Sequence, residues 1–442
     1  MKFWIDLHGC AKNQVDAEEL AARLEAAGHG YVEGAEAADL VIVNTCGFVE
    51  DAKRESIEAV MALRRAYPGK RILVAGCLSQ RYAAELAADM PEADGFLGNA
   101  DLGAAARAAE LCLAGERPVL VPPPPSPAPP PRRARLFDYP GTANVKITEG
   151  CSNRCSYCAI PLIRGELRSR PVDEVLAECA ELVARGISEL VLIGQDLGSY
   201  GLDSGSAQLL PELLGRLSGL PGAFRVRVLY IHPDRFPEAI LPVMAADPRI
   251  LPYFDLPFQH ASGRILRAMN RTGDAEAYLG LLGRIRSALP DAALRSTFLV
   301  GFPGEGEEDF AELRAFQDEA RLDWLGAFAY SREEGTPAYS LPGRVPAKLA
   351  QARKAAIEEA QERITRERLE RFVGRELDVL VEEVVEPAPG AEDAAELCIG
   401  RAWNQAPDVD GLTVLRGLCE PGAVARAKVL AVAGVDFDAA VL

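Results

Sequence analysis

The chain has 442 residues, of which 49% are hydrophobic and 26% are charged. This composition is typical of a folded protein and excludes global disorder, and at roughly 150 residues per domain the length predicts about three domains. Asp and Glu number 65 against 48 Lys and Arg, which gives a net charge of −17. Because nucleic-acid phosphates repel such a chain, nucleic acid is disfavoured as the main partner and a basic protein is favoured.

The N-terminus predicts a cytoplasmic protein. Asp6, Lys12 and Asp16 interrupt the segment where a signal peptide would need a continuous apolar core. No stretch of about 20 apolar residues predicts a membrane span. The chain has ten cysteines, and in a large cytoplasmic protein these point to metal ligation or redox chemistry rather than to a disulfide scaffold.

Residues 1–120 are predicted to form a Rossmann-like N-terminal domain. Apolar segments alternate with helical segments near 15–27, 49–66 and 80–88, a pattern that predicts a parallel sheet. Three apolar segments end at a cysteine: 3–10 at Cys10, 39–46 at Cys46 and 71–77 at Cys77. Open parallel sheets bind ligands at the carboxyl ends of their strands, so we expect these three thiols, the N-terminal triplet, to lie together.

A proline-rich linker is predicted at 121–136. Eight of the ten residues from 122 to 131 are proline, which favours an extended polyproline II segment of about 31 Å. The linker separates the N-terminal domain from a second unit at 137–371.

The second unit is predicted to be a partial (β/α)6 barrel. Six candidate strands lie at 144–150, 189–195, 224–230, 253–257, 294–301 and 324–330. The helical segments between them are expected near 172–185, 208–218, 234–246, 274–288 and 306–321. Six units are too few to close an eight-unit barrel, so we expect an open barrel with its site at the carboxyl ends of the strands. A long charged helix at 347–372 is interpreted as a connector packed on this barrel.

Residues 372–442 are predicted to form a small closed β-barrel of the OB-like type, because five short strands follow one another within about 70 residues. This segment contains 13 Asp and Glu against 5 Lys and Arg, a net charge of −8. A barrel that binds an RNA backbone normally carries the opposite sign. The acidic charge therefore favours a basic protein partner that contacts this barrel.

The strongest local motif is the C-x3-C-x2-C loop of Cys151, Cys155 and Cys158, the loop triplet. Three thiolates on one short loop can hold three irons of a 4Fe-4S cluster and leave the fourth iron open to a cofactor. A structural zinc site would use four ligands, and no fourth follows at that spacing. The N-terminal triplet also has three thiols without an evident fourth ligand, which favours a second open cluster. Each of its cysteines alone could equally be an ordinary buried side chain.

These motifs resemble the radical S-adenosylmethionine methylthiotransferases, and the resemblance covers essentially the whole chain. Segments 9–20, 43–57 and 75–82 resemble the family's N-terminal domain, and the terminal barrel resembles its TRAM domain. The segments that resemble its radical domain are 150–171, 193–196, 254–271 and 298–310.

The resemblance implies two 4Fe-4S clusters, one on each triplet, and S-adenosyl-L-methionine bound at the open iron of the loop cluster. One S-adenosylmethionine would methylate a sulfur held at the N-terminal cluster, and a second would be cleaved to a 5′-deoxyadenosyl radical. A radical on the substrate carbon would then take up the methylated sulfur. All six cysteines would be catalytic, and the protein would need a low-potential electron donor and a source of sulfide.

Two branches of this family differ in substrate. One modifies adenosine in tRNA (MiaB type), and the other modifies the β-carbon of an aspartate in small-subunit ribosomal protein uS12. Segments 12–16, 161–171 and 400–411 resemble the ribosomal-protein branch, and the acidic terminal barrel agrees because ribosomal proteins are basic. Besides the tRNA branch, the alternatives are a noncatalytic iron–sulfur or zinc module and a radical methylase without sulfur transfer, which would not need the N-terminal triplet.

Four further residues are candidates for contacts with S-adenosylmethionine. The resemblance places Tyr157 near the adenine. Gln195, Gln259 and His260 follow strands at the mouth of the barrel. Each of these three could instead be a polar group of an ordinary turn. The glycines of segment 301–305 either let the backbone approach the cofactor closely or form a plain turn between a strand and a helix.

The last candidate residues are three arginines, Trp403 and four cysteines. Arg164, Arg168 and Arg170 follow the loop triplet and either bind a carboxylate of the cofactor or target aspartate, or are surface charges. Trp403 is either an aromatic residue that contacts a partner or a core residue of the terminal barrel. Four cysteines are expected to be structural: Cys112, Cys179, Cys398 and Cys419.

Overall fold

The structure, a computed structural model, describes residues 1–122, 131–205, 207–386 and 396–442. Most of the predicted proline tract, residues 123–130, lies outside the described residues. Among the described residues, no helix combines the length and the apolar character needed to cross a membrane.

The N-terminal domain is built on a six-stranded, fully parallel sheet, which confirms the predicted fold class. Its strands are β1 (Lys2–Leu7), β2 (Gly30–Tyr31), β3 (Leu40–Thr45), β4 (Arg71–Gly76), β5 (Gly95–Gly98) and β6 (Val119–Leu120). Its helices are α1 (Ala11–Ala26), α2 (Glu50–Ala66), α3 (Cys77–Asp89) and α4 (Ala105–Leu113). The strand order is β2-β1-β3-β4-β5-β6, so the three strands that precede the N-terminal triplet are adjacent.

Side chains alternate between the two faces of this sheet, and different helices cover each face. Leu40 and Ile42 of β3 pack in the same cluster as α1 and α4, whereas Val41 and Val43 pack with α2 and α3. β3 is buried along its whole length. Strands buried on both faces read as continuous apolar runs, which is why β3 and β4 could be predicted from the sequence.

The second unit is the predicted open barrel of six parallel strands, here divided into two sheets. Its main strands are β7 (Thr142–Lys146), β10 (Glu189–Ile193), β11 (Arg225–Val228), β12 (Tyr253–Asp255), β13 (Ala293–Val300) and β14 (Trp324–Ala329). Between β7 and β10 lie the short strands β8 (Thr148–Glu149) and β9 (Arg168–Ser169). The two sheets, β11-β10-β7 and β12-β13-β14, are joined by a single parallel bridge between Val226 and Ile250.

The helices of this unit lie between and after its strands. They are α5 (Ile160–Arg164), α6 (Val172–Ala184), α7 (Leu210–Leu217), α8 (Ile240–Ala246), α9 (Gly263–Ala268), α10 (Ala275–Ala288), α11 (Glu307–Ala320) and α12 (Ala347–Leu369). The prediction of one helix near 234–246 is wrong. A short 3-10 turn at Pro233–Arg235 and α8 replace it, because a residue before proline, here Phe236, is disfavoured in helical conformation.

The C-terminal unit is a closed five-stranded barrel, as predicted. Its strands are β15 (Glu376–Val385), β16 (Leu397–Ala402), β17 (Thr413–Arg416), β18 (Val424–Ala433) and β19 (Asp436–Val441), in the order β15-β16-β17-β19-β18. Its contacts reach the amino ends of the central strands. Trp324, the first residue of β14, donates from Nε1 to the carbonyl of Asn404 at 2.7 Å, and Glu189, the first residue of β10, pairs with Arg401 at 3.2 Å.

The interior of the open barrel is thereby covered at both ends. Val191 and Ile193 of β10 share one buried cluster with Phe437 of the C-terminal barrel and with Val15 of α1. The N-terminal domain thus approaches the carboxyl ends of the central strands, and the C-terminal barrel lies at their amino ends. A site at the carboxyl ends is enclosed by the N-terminal and central units.

Candidate functional site

The N-terminal triplet is brought together by strand register and by close backbone packing. Leu7 pairs with Asn44, and Thr45 pairs with Gly76, so β1, β3 and β4 end side by side. A Cβ on Gly47 would lie 2.7 Å from the carbonyl oxygen of Cys77. Only glycine fits there, and it lets the chain after Cys46 pack directly on the start of α3.

The three thiols of this triplet have different surroundings. Cys77 is buried, Cys46 is half-buried and Cys10 is exposed. Burial, with smaller contributions from Cys10 and Cys46, raises the pKa of Cys77 to about 12. Desolvation also tends to raise the pKa of Cys10. The positive charges of Lys12 and Arg164 outweigh this effect, so the pKa of this thiol is lowered. These mutual effects indicate three sulfur atoms within electrostatic reach of one another.

The loop triplet follows β8 and is held by backbone contacts. Gly150 adopts a φ of 72°, and a Cβ there would lie 2.1 Å from the carbonyl oxygen of Glu166. Next to it, the amide of Cys151 donates to the carbonyl of Gly165 at 3.1 Å. The amide of Ser156 donates to the carbonyl of Met269 at 3.0 Å. The loop is therefore anchored on both sides, which fixes where its thiols lie.

The residues that flank the loop triplet are tied to neighbouring strand ends. Asn153 donates to Asp196 at 2.8 Å and accepts from Nε of Arg235 at 2.6 Å. The side chain of Asn270 donates to the carbonyl of Arg154 at 2.9 Å. Burial raises the pKa of Cys151 to about 11. Asp196 and Arg235 follow β10 and β11, so the loop spans the mouth of the barrel as predicted from its position after the first strand.

The two triplets meet across the domain boundary. Cys77 packs against Ala159 and Ile163 in a small buried cluster that also contacts Phe48. Ala159 directly follows Cys158, so one cysteine of the N-terminal triplet lies against the end of the loop triplet. The structure therefore places Cys77 of the N-terminal triplet beside the end of the loop triplet.

Arg164, the last residue of α5, reaches from the central unit to Cys77 of the N-terminal triplet. Its Nη2 lies 3.2 Å from Sγ of Cys77, 2.7 Å from Oδ1 of Asn13 and 2.8 Å from Oδ2 of Asp16. Its Nη1 donates to Oε1 of Glu149 at 2.8 Å. The side chain is 3% exposed. This excludes the interpretation of Arg164 as a surface charge.

Arg164 belongs to a buried cluster of four charges. Lys146 bonds to Asp16 at 2.5 Å and to Glu149 at 2.6 Å. Burial would raise the pKa of Glu149, but Arg164 and Lys146 outweigh burial and hold it well below its usual range. Asp16 comes from the N-terminal domain and the other three come from the central unit. Because two cations face two anions, each buried charge is compensated, and the cluster aligns the two domains.

Tyr157 lies within the loop triplet, and Gln195 follows β10. The hydroxyl of Tyr157 accepts from Nη1 of Arg271 at 3.3 Å. Nε2 of Gln195 donates to Glu149 at 3.3 Å. Its Oε1 is buried and has no hydrogen-bond partner among the described residues. An orphaned amide oxygen of this kind can accept from a bound ligand, and the contacts of both residues with S-adenosylmethionine stay predictions.

Gln259 and His260 are both held by hydrogen bonds to neighbouring backbone groups. The backbone of Gln259 bridges Thr297 and Leu299 of β13 at 2.8 and 2.7 Å. His260 is fully buried, and its Nδ1 accepts from the amides of Ala261 and Ser262 at 3.0 and 2.9 Å. Burial lowers the pKa of His260 to about 4, so the ring is neutral at pH 7. Contact of either residue with a cofactor stays a prediction.

The segment 301–305 forms a turn that is stabilised by its own glutamate. Oε2 of Glu305 accepts from the amide of Gly301 at 2.7 Å, and Oε1 pairs with Arg353 of α12 at 2.7 Å. Gly301 has a φ of 75° and lies against Ala350. These contacts favour a plain turn over a close approach of the backbone to the cofactor.

The remaining candidate residues contact other groups of the protein or are buried in it. Arg168 donates to the carbonyls of Arg164 and Glu166, and Arg170 pairs with Glu178 at 2.6 Å. Trp403 is half-buried and packs edge-on against Phe372. Three of the other cysteines are buried and the fourth is half-buried: Cys112, Cys179 and Cys398, and Cys419.

The donor chemistry of the two triplets is compatible with iron–sulfur clusters, whose irons are held by cysteine thiolates. Within the described ranges, no group of three His, Cys, Asp or Glu side chains converges as one ion would require. Cluster ligands need no common point, because each thiolate binds a different iron. Cys77 also receives hydrogen bonds from Arg164 and from Asn99 at 3.3 Å. Such donors stabilise the negative charge of a ligating thiolate, so the donor set suits an anionic cluster.

Several residues of the site were missed in the sequence although a signal was present. Asn13 and Asp16 are three residues apart on α1 and therefore share one face of the helix. The amide of Asn13 donates to the carbonyls of His8 and Thr45 at 3.2 and 3.0 Å, which aims its oxygen at Cys77. The roles of Lys146, Glu149 and Asn99 depend on contacts between segments that are distant in sequence, and no local pattern predicts them.

Family models match three parts of the chain. Residues 2–98 match the uncharacterized protein family UPF0004, residues 145–316 match the radical SAM superfamily and residues 373–442 match the TRAM domain. These ranges correspond to the three units described above.

Curated relatives are similar over nearly the full length. A ribosomal protein uS12 methylthiotransferase RimO from Treponema denticola is 44% identical, with 98% of this chain and 99% of the relative covered. The protein of the same name from Moorella thermoacetica is 44% identical, with 92% and 91% covered. That from Thermotoga maritima is 41% identical, with 94% of each covered.

Solved structures share the fold at low sequence identity. The radical S-adenosylmethionine methyltransferase TsrM from Kitasatospora setae, solved with cobalamin and a [4Fe-4S] cluster, superposes with a TM-score of 0.58 at 18% identity. It covers 76% of each chain. The cobalamin-dependent S-adenosylmethionine radical enzyme OxsB gives a TM-score of 0.51 at 12% identity, covering 81% of this chain and 56% of that one. At these identities the likeness shows the fold alone.

Proposed function

The chain belongs to the RimO family of radical S-adenosylmethionine methylthiotransferases, and from this membership we propose that it adds a methylthio group to the β-carbon of an aspartate in ribosomal protein uS12. The observation that carries the proposal is the packing of Cys77, from the N-terminal triplet, against Ala159, which directly follows Cys158 of the loop triplet. Residues 1–120 form the methylthiotransferase domain, 137–371 the radical domain with its connecting helix and 372–442 the TRAM domain, with 121–136 as linker.

The cofactors of this family are S-adenosyl-L-methionine and 4Fe-4S clusters. We assign one cluster to the N-terminal triplet and one to the loop triplet, each with one iron free of protein ligands. When bound, the clusters supply the electron that cleaves S-adenosylmethionine and hold the sulfur to be transferred. We propose that Tyr157 and Gln195 contact the S-adenosylmethionine at the loop triplet; the Oε1 of Gln195, unpaired among the described residues, supports this assignment.

The overall reaction replaces one C–H bond of aspartate by a C–S bond. The hydrogen leaves on 5′-deoxyadenosine, formed with methionine from one S-adenosylmethionine. The methyl group comes from a second, which leaves as S-adenosylhomocysteine, and the sulfur comes from an external sulfide source. A low-potential donor would provide the electron for cleavage. Formation of the C–S bond would release one electron, which clusters held by the two triplets could accept.

The protein's own residues orient these partners and exclude water. Arg164 and Lys146 fix the N-terminal domain over the mouth of the barrel through Asp16. Nζ of Lys12 lies 3.1 Å from the ring centroid of Tyr230, which adds a cation–π contact at the same boundary. A rigid boundary of this kind keeps the radical and the sulfur at a constant separation, which positioning in catalysis requires.

The acidic terminal barrel provides a further surface for a basic substrate. It lies at the amino ends of the central strands, where Trp324 and Glu189 contact it, and the loop triplet lies at their carboxyl ends. In this proposal it binds a part of uS12 away from the target aspartate. A ribosomal-protein substrate also accords with the predicted cytoplasmic location.

Substrate choice is tested by incubating the reconstituted enzyme with uS12 and with tRNA in separate reactions. We expect mass spectrometry to detect a methylthio group on one aspartate of uS12 and no modification of tRNA, because the negative charge of the chain repels the phosphates. Modification of tRNA alone would contradict this assignment and support the MiaB-type activity. Bound zinc in place of iron and sulfide would instead support the noncatalytic module.

Replacing Arg164 by Gln tests its role at the boundary of the two groups of thiols. The substitution removes the positive donor 3.2 Å from Sγ of Cys77. Because hydrogen bonds and positive charge stabilise the reduced cluster, we expect the midpoint potential of the N-terminal cluster to fall by about 60 mV or more. A redox titration followed by EPR measures this. Arg168→Gln is the matched control, since Arg168 donates only to backbone carbonyls; equal potentials in the two variants would contradict the role of Arg164.

A further inference from the structure

A groove of about 650 Å³ opens on the surface between α2, α3 and the segment that follows β14. Leu78, Leu86 and Met90 are buried and form its apolar floor. Four carboxylates stand on its rim: Glu50, Glu85, Asp89 and Glu334. The groove therefore combines an apolar floor with an acidic rim.

The groove lies beside the space that the two triplets share. Leu78 on its floor directly follows Cys77, and α2 begins four residues after Cys46. Its other wall is segment 331–340. The amide of Ala338 in this segment donates to the carbonyl of Ser156, within the loop triplet, at 2.8 Å. One wall of the groove therefore follows Cys77 directly in sequence, and the other wall is hydrogen-bonded to the loop triplet.

Segment 331–340 is attached to the N-terminal helices by a buried ion-pair cluster. Glu333 is 3% exposed and pairs with Lys53 of α2 at 3.1 Å and with Arg81 of α3 at 2.7 Å. Nη2 of Arg81 also donates to the carbonyl of Glu334 at 2.8 Å. The two walls of the groove are thus held at a constant separation.

The rim of the groove carries more negative than positive free charge. Lys53 pairs with Glu50 and Glu333. Three carboxylates and one cation of the rim are exposed and form no ion pair within the part of the chain that the structure describes: Glu85, Asp89, Glu334 and Arg332, whose guanidinium lies 3.6 Å from the ring centroid of Tyr339. A ligand in the groove would therefore meet a negative field.

We propose that this groove binds an extended basic segment of the ribosomal-protein substrate, a role that depends on the proposed function. Lysine and arginine can lay their methylene stems on the apolar floor while their charges meet the rim carboxylates. A protein that binds ribosomal RNA carries such segments, because it must neutralise phosphates. The groove then guides the segment that bears the target aspartate toward the two triplets.

The test is the double substitution Glu85→Lys, Asp89→Lys in the reconstituted full-length enzyme. Both side chains are exposed and outside the ion-pair cluster, so the fold is expected to persist. We expect the KM for uS12 to rise about tenfold or more, with kcat and the KM for S-adenosylmethionine unchanged. The matched control is Glu110→Lys, Glu116→Lys. Both residues are exposed; Glu110 belongs to α4, on the opposite face of the sheet, and Glu116 lies three residues after the end of α4.

The outcomes separate this proposal from the proposed function. An unchanged KM for uS12, or an equal rise in the control variant, would overturn the groove while the activity of the unsubstituted enzyme on uS12 still stands. A rise in the KM for S-adenosylmethionine alone would assign the groove to the cofactor and also overturn it. Failure of the unsubstituted enzyme to modify uS12 would remove both proposals.

Discussion

A Cys10→Ala enzyme is expected to lose methylthiolation of uS12 while it still cleaves S-adenosylmethionine. Cys10 is exposed, so its removal creates no core cavity and the effect reflects ligation rather than folding. Without a full set of thiols the N-terminal cluster cannot hold sulfur for transfer, but the loop triplet is unchanged. Chromatography of the products should show 5′-deoxyadenosine near the level of the unsubstituted enzyme and no methylthiolated aspartate.

The control for this experiment is Cys419→Ala. Cys419 is half-buried in the C-terminal barrel, far in the fold from both triplets, so this variant should retain full methylthiolation. A Cys10→Ala enzyme with unreduced methylthiolation would refute the role of the N-terminal triplet. It would leave an ordinary radical methylase as the better interpretation.

A Cys151→Ala enzyme is expected to lose both reactions. Cys151 belongs to the loop triplet, and three thiolates are the minimum that hold this type of cluster while one iron stays free for S-adenosylmethionine. Formation of 5′-deoxyadenosine should fall to the background of a reaction without enzyme. The Cys10→Ala and Cys151→Ala enzymes together thus separate transfer of sulfur from generation of the radical.

The measurement is the yield of 5′-deoxyadenosine under anaerobic conditions with a chemical reductant. Iron analysis of the same sample checks that the N-terminal triplet is still loaded, which excludes general unfolding. Undiminished 5′-deoxyadenosine from the Cys151→Ala enzyme would contradict the assignment of the radical step to this loop.

The sequence predicted the parts of the site that depend on local pattern. β3 and β4 are continuous apolar runs that end next to Cys46 and Cys77, and the parallel topology then aligns their carboxyl ends. The loop triplet is a contiguous motif and needs no tertiary information. Short strands such as β2 and β6 have two residues each, too few for any periodicity, and were not predicted.

Contacts between domains could not be predicted from local pattern. The sequence left Arg164 as either a functional group or a surface charge, because nothing near it in sequence shows that α1 of another domain covers it. The decisive partners, Asn13 and Asp16, precede it by 151 and 148 residues. Burial of a charge becomes predictable only when all its compensating partners are known.

The most direct test of the account is iron and sulfide analysis of the reconstituted enzyme and of two triple Cys→Ala variants. One variant lacks the N-terminal triplet and the other lacks the loop triplet. The account predicts about eight irons and eight sulfides per unsubstituted chain and about four of each in either variant, since each triplet holds one 4Fe-4S cluster independently. About four irons in the unsubstituted enzyme, or about eight in either variant, would contradict it.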